Sequence, residues 1–233
     1  MTSRFLLPLA VLFVGLMVQP SSAFDPFHPD RWFAPEICRA VVPDVVVSSI
    51  PSEVRIDHSM SSDQIDAAAR RLRGSVMAGW RTNGLAEARL RTDGATTVSV
   101  VQLADGRWCG YLESADFLIS YEDPLNIYIS STYDVGSCPY KAILHHELQH
   151  VDIYRNTLRE HLSGAGERVT EIMVAAGPVI RRSKQEVSDM LESRVGQAVM
   201  DIANGIAAEA KRRNAALDTP QSYQVVQSEC RNW

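Results

Sequence analysis

"LNIYISSTYDVGSCPYKAILHHELQHVDIYRNTLREHL", residues 125–162, changes its period midway, and that change decides the fold. The opening residues alternate, Leu125, Ile127 and Ile129 against Asn126, Tyr128 and Ser130, the pattern of a strand with two unlike faces. After Cys138-Pro139 the apolar residues recur at helical spacing instead: Tyr140, Leu144, Leu148, Val151, Tyr154, Leu158 and Leu162 project into one arc. This predicts a helix over 140–162, started by a proline in its first turn and ended at Ser163-Gly164.

Inside that helix stands His146-Glu147-Leu148-Gln149-His150, the pattern HExxH. Four helical residues advance about 400° and roughly 6 Å, so the two imidazoles point the same way and can share an ion. Zn2+ is the expected metal, with His146 and His150 as ligands. Glu147 is the expected catalytic base, placed to take a proton from a water that the ion has made acidic. Its projection falls at the inner margin of the apolar arc, where a carboxylate is costly without a charged or hydrogen-bonding partner. A metal site supplies that partner; a surface glutamate beside two satisfied histidines would not need the placement.

A third ligand is not adjacent. Asp152 projects to the far side of the helix, and His161 lies about 16 Å further along the axis. The ligand must come from a later element, with Glu192 the first choice and Glu171 and Asp218 behind it. His145 projects away from His146 and reads as a surface or supporting histidine. The strand at 125–130 is either an edge that pairs with an extended peptide substrate or an ordinary half-buried strand.

Working outward, the residues before this stretch alternate. Ala88–Thr92, Thr97–Leu103, Arg107–Glu113 and Phe117–Tyr121 read as strands, with Asp105-Gly106 a tight hairpin turn between the middle two. Ser61-x-x-Gln64 is a capping box that opens a helix to about Arg73. Beyond the central helix, a short helix is expected over 167–176. A long one follows from the cap Ser183-x-x-Glu186 to about Ala215, with Val187, Leu191, Val195, Ala198, Ile202 and Ile206 on one side. The expected fold class is α+β: a mostly antiparallel sheet of four or five strands packed on a helical half that carries the HExxH helix.

The chain begins with Arg4, the apolar run Phe5–Val18 and the small residues Ser21-Ser22-Ala23, the order of a secretory signal peptide cleaved after Ala23. Residues 24–233 are then one domain, entered through a proline-rich irregular segment to Pro51 with a short strand over 45–49. Losing Arg4 takes the net charge from −5 to −6, without long runs of one sign, which gives no footing for nucleic acid. No later segment approaches the length of a membrane span. Cys38, Cys109, Cys138 and Cys230 are an even set in an exported chain, so two disulfides are expected, in any of three pairings.

The stretch from Arg107 to Leu162, and more faintly "LDTPQSY" and the closing "CRNW", resembles small exported bacterial proteins regarded as predicted zinc-dependent proteases of the zincin type. The resemblance implies zinc on His146 and His150, Glu147 as base, and a peptide or protein substrate met in the periplasm or outside the cell. Gln149 stands where such proteins often have glycine, and no glycine-x-x-histidine follows His150, which removes the metzincin arrangement. Two alternatives stay beside the peptidase: a metal-dependent hydrolase of other amide bonds in the cell envelope, and a non-catalytic exported binding or assembly protein.

Overall fold

The strands expected as one sheet divide into two in the computed structural model, which describes residues 38–39, 41–73 and 81–233. The expected signal peptide, residues 1–23, lies outside the described residues. In chain order the elements are β1 (Asp44–Ser48), β2 (Val54–Asp57), α1 (Ser62–Arg73), β3 (Gly84–Glu87), β4 (Leu90–Gln102) and β5 (Trp108–Tyr121). Then follow β6 (Leu125–Ile129), α2 (Cys138–Leu162), α3 (Ala165–Ala176), β7 (Val179–Arg181), α4 (Lys184–Leu217) and α5 (Pro220–Ser228). The molecule is α+β.

The first sheet has the order β1-β5-β4, with β7 also paired to β5. Its spine is one long antiparallel hairpin across Asp105-Gly106, where Gly106 takes the positive φ that this turn needs. The four expected strands on either side of that turn are in fact two. Gly94 stays in the ladder opposite Phe117, whose ring occupies the place of a side chain there, and a bulge between Thr97 and Val98 absorbs the remaining irregularity.

The second sheet has the order β2-β6-β3. β6 is thus its central strand, paired in parallel with β2 and antiparallel with β3, so the edge alternative is overturned and the half-buried strand stands. The alternation was read correctly, with Leu125, Ile127 and Ile129 buried. Its partners were missed because each is only four residues long: β2, Val-Arg-Ile-Asp, alternates but over too short a run to be read, and β3, Gly-Leu-Ala-Glu, does not alternate.

Helix starts follow their predicted chemistry. Ser61 and Gln64 exchange the two hydrogen bonds of a capping box at α1. Ser137 accepts from the Tyr140 amide at α2, and Ser183 from the Glu186 amide at α4. α4 runs 34 residues and works on two surfaces in turn. Val187, near its start, lies over Gly110 of β5, a position where any side chain would block the approach. Further along, α4 passes antiparallel to α2, with Gly205 at the level of His161, Asn214 at His150 and Asp218 at His146. The buried stripe Val187, Leu191, Val195, Ala198 and Ile206 continues past the expected positions into Ala210 and Asn214.

Disulfides join Cys38 to Cys109 and Cys138 to Cys230. Such bonds persist in oxidising compartments and fit a protein that works outside the cytoplasm. The second ties the first turn of α2 to the residues just after α5, a helix with no buried residue of its own. Among the described residues no helix is long and apolar enough to cross a membrane.

Candidate metal centre

α2 is packed on two sides, by α4 and by β3, and this rotates its buried face relative to the arc that hydrophobicity alone suggests. Leu148, expected in the core, is 38% exposed, whereas His146 and Glu147 are each 4% exposed and His150 1%. Three polar side chains thus occupy the interior, an arrangement that is costly unless they are used. One ligand atom from each of the three lies within 4.8 Å of the other two. The rings of His146 and His150 stand 5.0 Å apart and nearly perpendicular, with both Nε2 atoms directed to one place.

Asp218 is at that place. As the C-cap residue of α4, its Oδ1 lies 3.2 Å from His146 Nε2 and 3.1 Å from His150 Nε2. Tyr223, on the first turn of α5, donates its hydroxyl to the same oxygen at 2.8 Å, and its ring lies 5.2 Å from that of His146. Thr219 caps α5 and Pro220 opens it, so the chain turns sharply enough after Asp218 to return Tyr223 to the site.

Asn214 sets the chemistry of the cluster. Its amide nitrogen donates to the Ala210 carbonyl at 2.8 Å, which leaves its oxygen to face His150 Nδ1 at 2.7 Å. Nδ1 must therefore carry the proton, and Nε2 of a neutral His150 presents a lone pair. That lone pair meets a carboxylate oxygen, an acceptor facing an acceptor, so a positive charge belongs between them. A proton or a metal ion can supply it. Burial opposes the protonation, but the hydrogen bond to Asp218, the charges of Glu147 and Asp218, and the contact with Asn214 outweigh it and raise the His150 pKa above its ordinary value.

The same donor set suits a divalent metal. Nitrogen and oxygen ligands held tetrahedrally by bonds of roughly 2.0–2.1 Å stand about 3.3 Å from one another, close to the two Nε2–Oδ1 separations observed here. Two imidazoles and a carboxylate leave a fourth position, as hydrolytic sites do.

Gly84 of β3 completes the enclosure. A Cβ built there would lie 2.5 Å from Glu147 Oε1 and 2.6 Å from Ile143 Cγ2, so only glycine lets the strand settle onto the helix at this point.

Of the residues singled out from sequence, His146, Glu147 and His150 come together. Of the three candidates for the third ligand, Asp218 reaches the histidines, while Glu192 and Glu171 are exposed. Glu192 fails because the first half of α4 is committed to the first sheet, which shifts the level of His150 some six turns along the helix. His145 is exposed, as a surface histidine, and pairs with Gln149 on its own helix. Asn214, Tyr223 and Gly84 were missed. Asn214 carries a sequence signal, an amide at the next position of the Ile206-Ala210 stripe, and Thr219-Pro220 is a legible helix start. Nothing local marks Gly84. No protein-family model matches the chain, and neither does any curated protein or solved structure.

Proposed function

We propose that this protein is an exported zinc-dependent peptidase of the zincin type, acting in the periplasm or beyond the cell. The observation that carries the reading is the convergence of two Nε2 atoms and one carboxylate oxygen on a single point, with His150 held by Asn214 in the tautomer that a metal ligand needs. His146, His150 and Asp218 would hold the ion. When bound, zinc supplies Lewis acidity, lowering the pKa of a water and polarising a substrate carbonyl.

The chain's own groups have separate tasks. Glu147 is buried beside the histidines, held down by Ile143 and the backbone of β3, and serves as general base to the attacking water, later handing the proton to the departing amine. Asn214 orients His150. Tyr223 keeps its hydroxyl on Asp218 at rest and, being only half-buried, can turn it toward negative charge developing on the substrate oxygen.

The test is metal analysis of the purified mature protein, together with Glu147→Gln and His150→Ala variants offered an unfolded polypeptide and, separately, peptidoglycan. One zinc in the wild type and in Glu147→Gln, with cleavage of polypeptide only by the wild type, is the expected result. Cleavage of peptidoglycan alone would move the reaction to cell-envelope amides. Bound zinc with no cleavage of either would leave a binding protein.

A further inference from the structure

A cavity of about 600 Å³ opens beside the metal centre and shares Asn214, Asp218 and Tyr223 with it. Volumes of this order belong to pockets that enclose most of a ligand. Along α4 the cavity is lined at 207, 210, 211, 214, 215 and 218, one face of the helix and about 16 Å of its length. The lining therefore runs from the converging histidines away toward Ala207. Tyr154, one turn of α2 beyond His150, stands along the same direction and meets the Tyr121 ring edge-on at 5.4 Å.

We propose that this cavity is the specificity pocket of the site, and that it receives an aromatic side chain of the peptide next to the bond being cut. The proposal rests on the peptidase reading above and names its substrate class. Three features select the occupant. The helical wall is built from alanines, Ala207, Ala210 and Ala215, and the strand side from Leu85, Ala86 and Ala88, so the space exists because the walls are small. A short side chain would leave most of that space unfilled; a flat ring fills it and meets two tyrosine rings in the edge-on geometry that aromatic pairs prefer.

Charge is the second feature. Glu87 is engaged by Arg89 at 2.8 Å and Arg81 by Asp63 at 3.0 Å, while Lys211 is exposed at the rim. A charged side chain reaching inward would exchange water for alanine, leucine and phenol rings, and the acids of the lining are already engaged, Glu87 by Arg89 and Asp218 by His146, His150 and Tyr223. The third feature is Tyr121, which is 6% exposed and whose hydroxyl has no hydrogen-bond partner among the described residues. Burial accordingly pushes its ionisation well above the usual range. A buried hydroxyl beside the cavity makes tyrosine as acceptable an occupant as phenylalanine.

The binding step can be read without catalysis. The Glu147→Gln protein is titrated calorimetrically with N-acetyl-phenylalanine amide and N-acetyl-alanine amide. The aromatic probe is expected to bind at least tenfold more tightly, and a bulky residue in the wall, Ala210→Phe, to remove that advantage. Ala210 is buried, so Ala207→Phe, at an exposed position of the same wall, provides a second test that leaves the core untouched. In parallel, wild-type digestion of a reduced, alkylated polypeptide is mapped by mass spectrometry. Aromatic residues at one fixed position relative to the cut are expected, with kcat/KM about 100-fold above that of the alanine counterpart. Equal binding of the two probes, no binding, or binding unchanged in a filled variant that folds overturns the pocket. Cleavage without aromatic preference also overturns it and leaves the peptidase standing. Selective binding with no cleavage supports the pocket and removes the reaction.

Discussion

Replacing Gly84 by alanine puts one methyl group between β3 and the glutamate of the metal centre. The added Cβ would sit 2.5 Å from Glu147 Oε1, 2.6 Å from Ile143 Cγ2 and 2.9 Å from Glu147 Cγ. Comfortable carbon contacts are about 3.5–4.0 Å, so something must retreat by roughly 1 Å. β3 cannot move freely, because Gly84 to Glu87 are registered against Ile129 to Asn126 and Leu85 is buried. The side chains of Ile143 and Glu147 must therefore give. Overpacking of this kind costs about 1–3 kcal/mol. Gly84 is not among the glycines with positive φ, so alanine also recovers roughly 0.4–1 kcal/mol from the unfolded chain, for a net loss of about 1–2 kcal/mol. The effect on rate should be larger, since a catalytic group displaced by about 1 Å can lose 100-fold. Urea denaturation, zinc content and peptide cleavage measured on one preparation read the three quantities. Gly196→Ala, in α4 where a Cβ meets nothing within 4 Å, is the control and should gain roughly 0.5–1 kcal/mol with the rate unchanged. A Gly84→Ala protein as stable and as active as the wild type would refute the contact. One that loses stability but keeps its rate would refute Glu147 as the base.

Three further perturbations have defined outcomes. Asn214→Leu strips the buried His150 Nδ1–H of its acceptor and should cost about 1–3 kcal/mol and lower zinc affinity 10–100-fold in a competition titration; unchanged affinity would show that the tautomer is set elsewhere. Removing the Cys138–Cys230 bond, which closes a loop of sequence separation 92, should cost roughly 2–4 kcal/mol and raise hydrogen exchange over residues 219–230, because α5 has no buried residue of its own; protection equal to wild type would contradict this. The Glu209 carboxyl is held down to about 2 by hydrogen bonds from Arg212 and Arg213, and Arg213 also spans to Glu160 of α2. A depressed carboxyl stabilises the fold above its unfolded value of about 4.5 and loses that contribution as pH falls toward 2, so Tm should decline across this window and decline less in Glu209→Gln. The group lies at the surface beside the exposed Arg212, so the effect should be small and weaken in salt.

Periodicity and capping made the helical half legible before any coordinates. The switch after Pro139, the Ser183 cap and the Val187-to-Ile206 stripe are local patterns, and each determines its element within a few residues of itself. HExxH is legible for the same reason: a single turn of helix is enough to align two imidazoles and the acid beside the first. The sheets were less so. β2, β3 and β7 span three or four residues each and owe their strand state to partners far along the chain, so no local period long enough to be read announces them. The site's remaining groups are of that kind. Asp218 was one acid among several until the packing of α4 on the first sheet set which of its turns faces His150. Asn214 is an unremarkable amide until Ala210 and His150 fix both ends of it. Gly84 has meaning only as the point where a strand from the second sheet touches the carboxylate of α2. Short-range spacing selects which helix holds the chemistry; long-range packing, acting between elements more than sixty residues apart, selects which side chains meet it there.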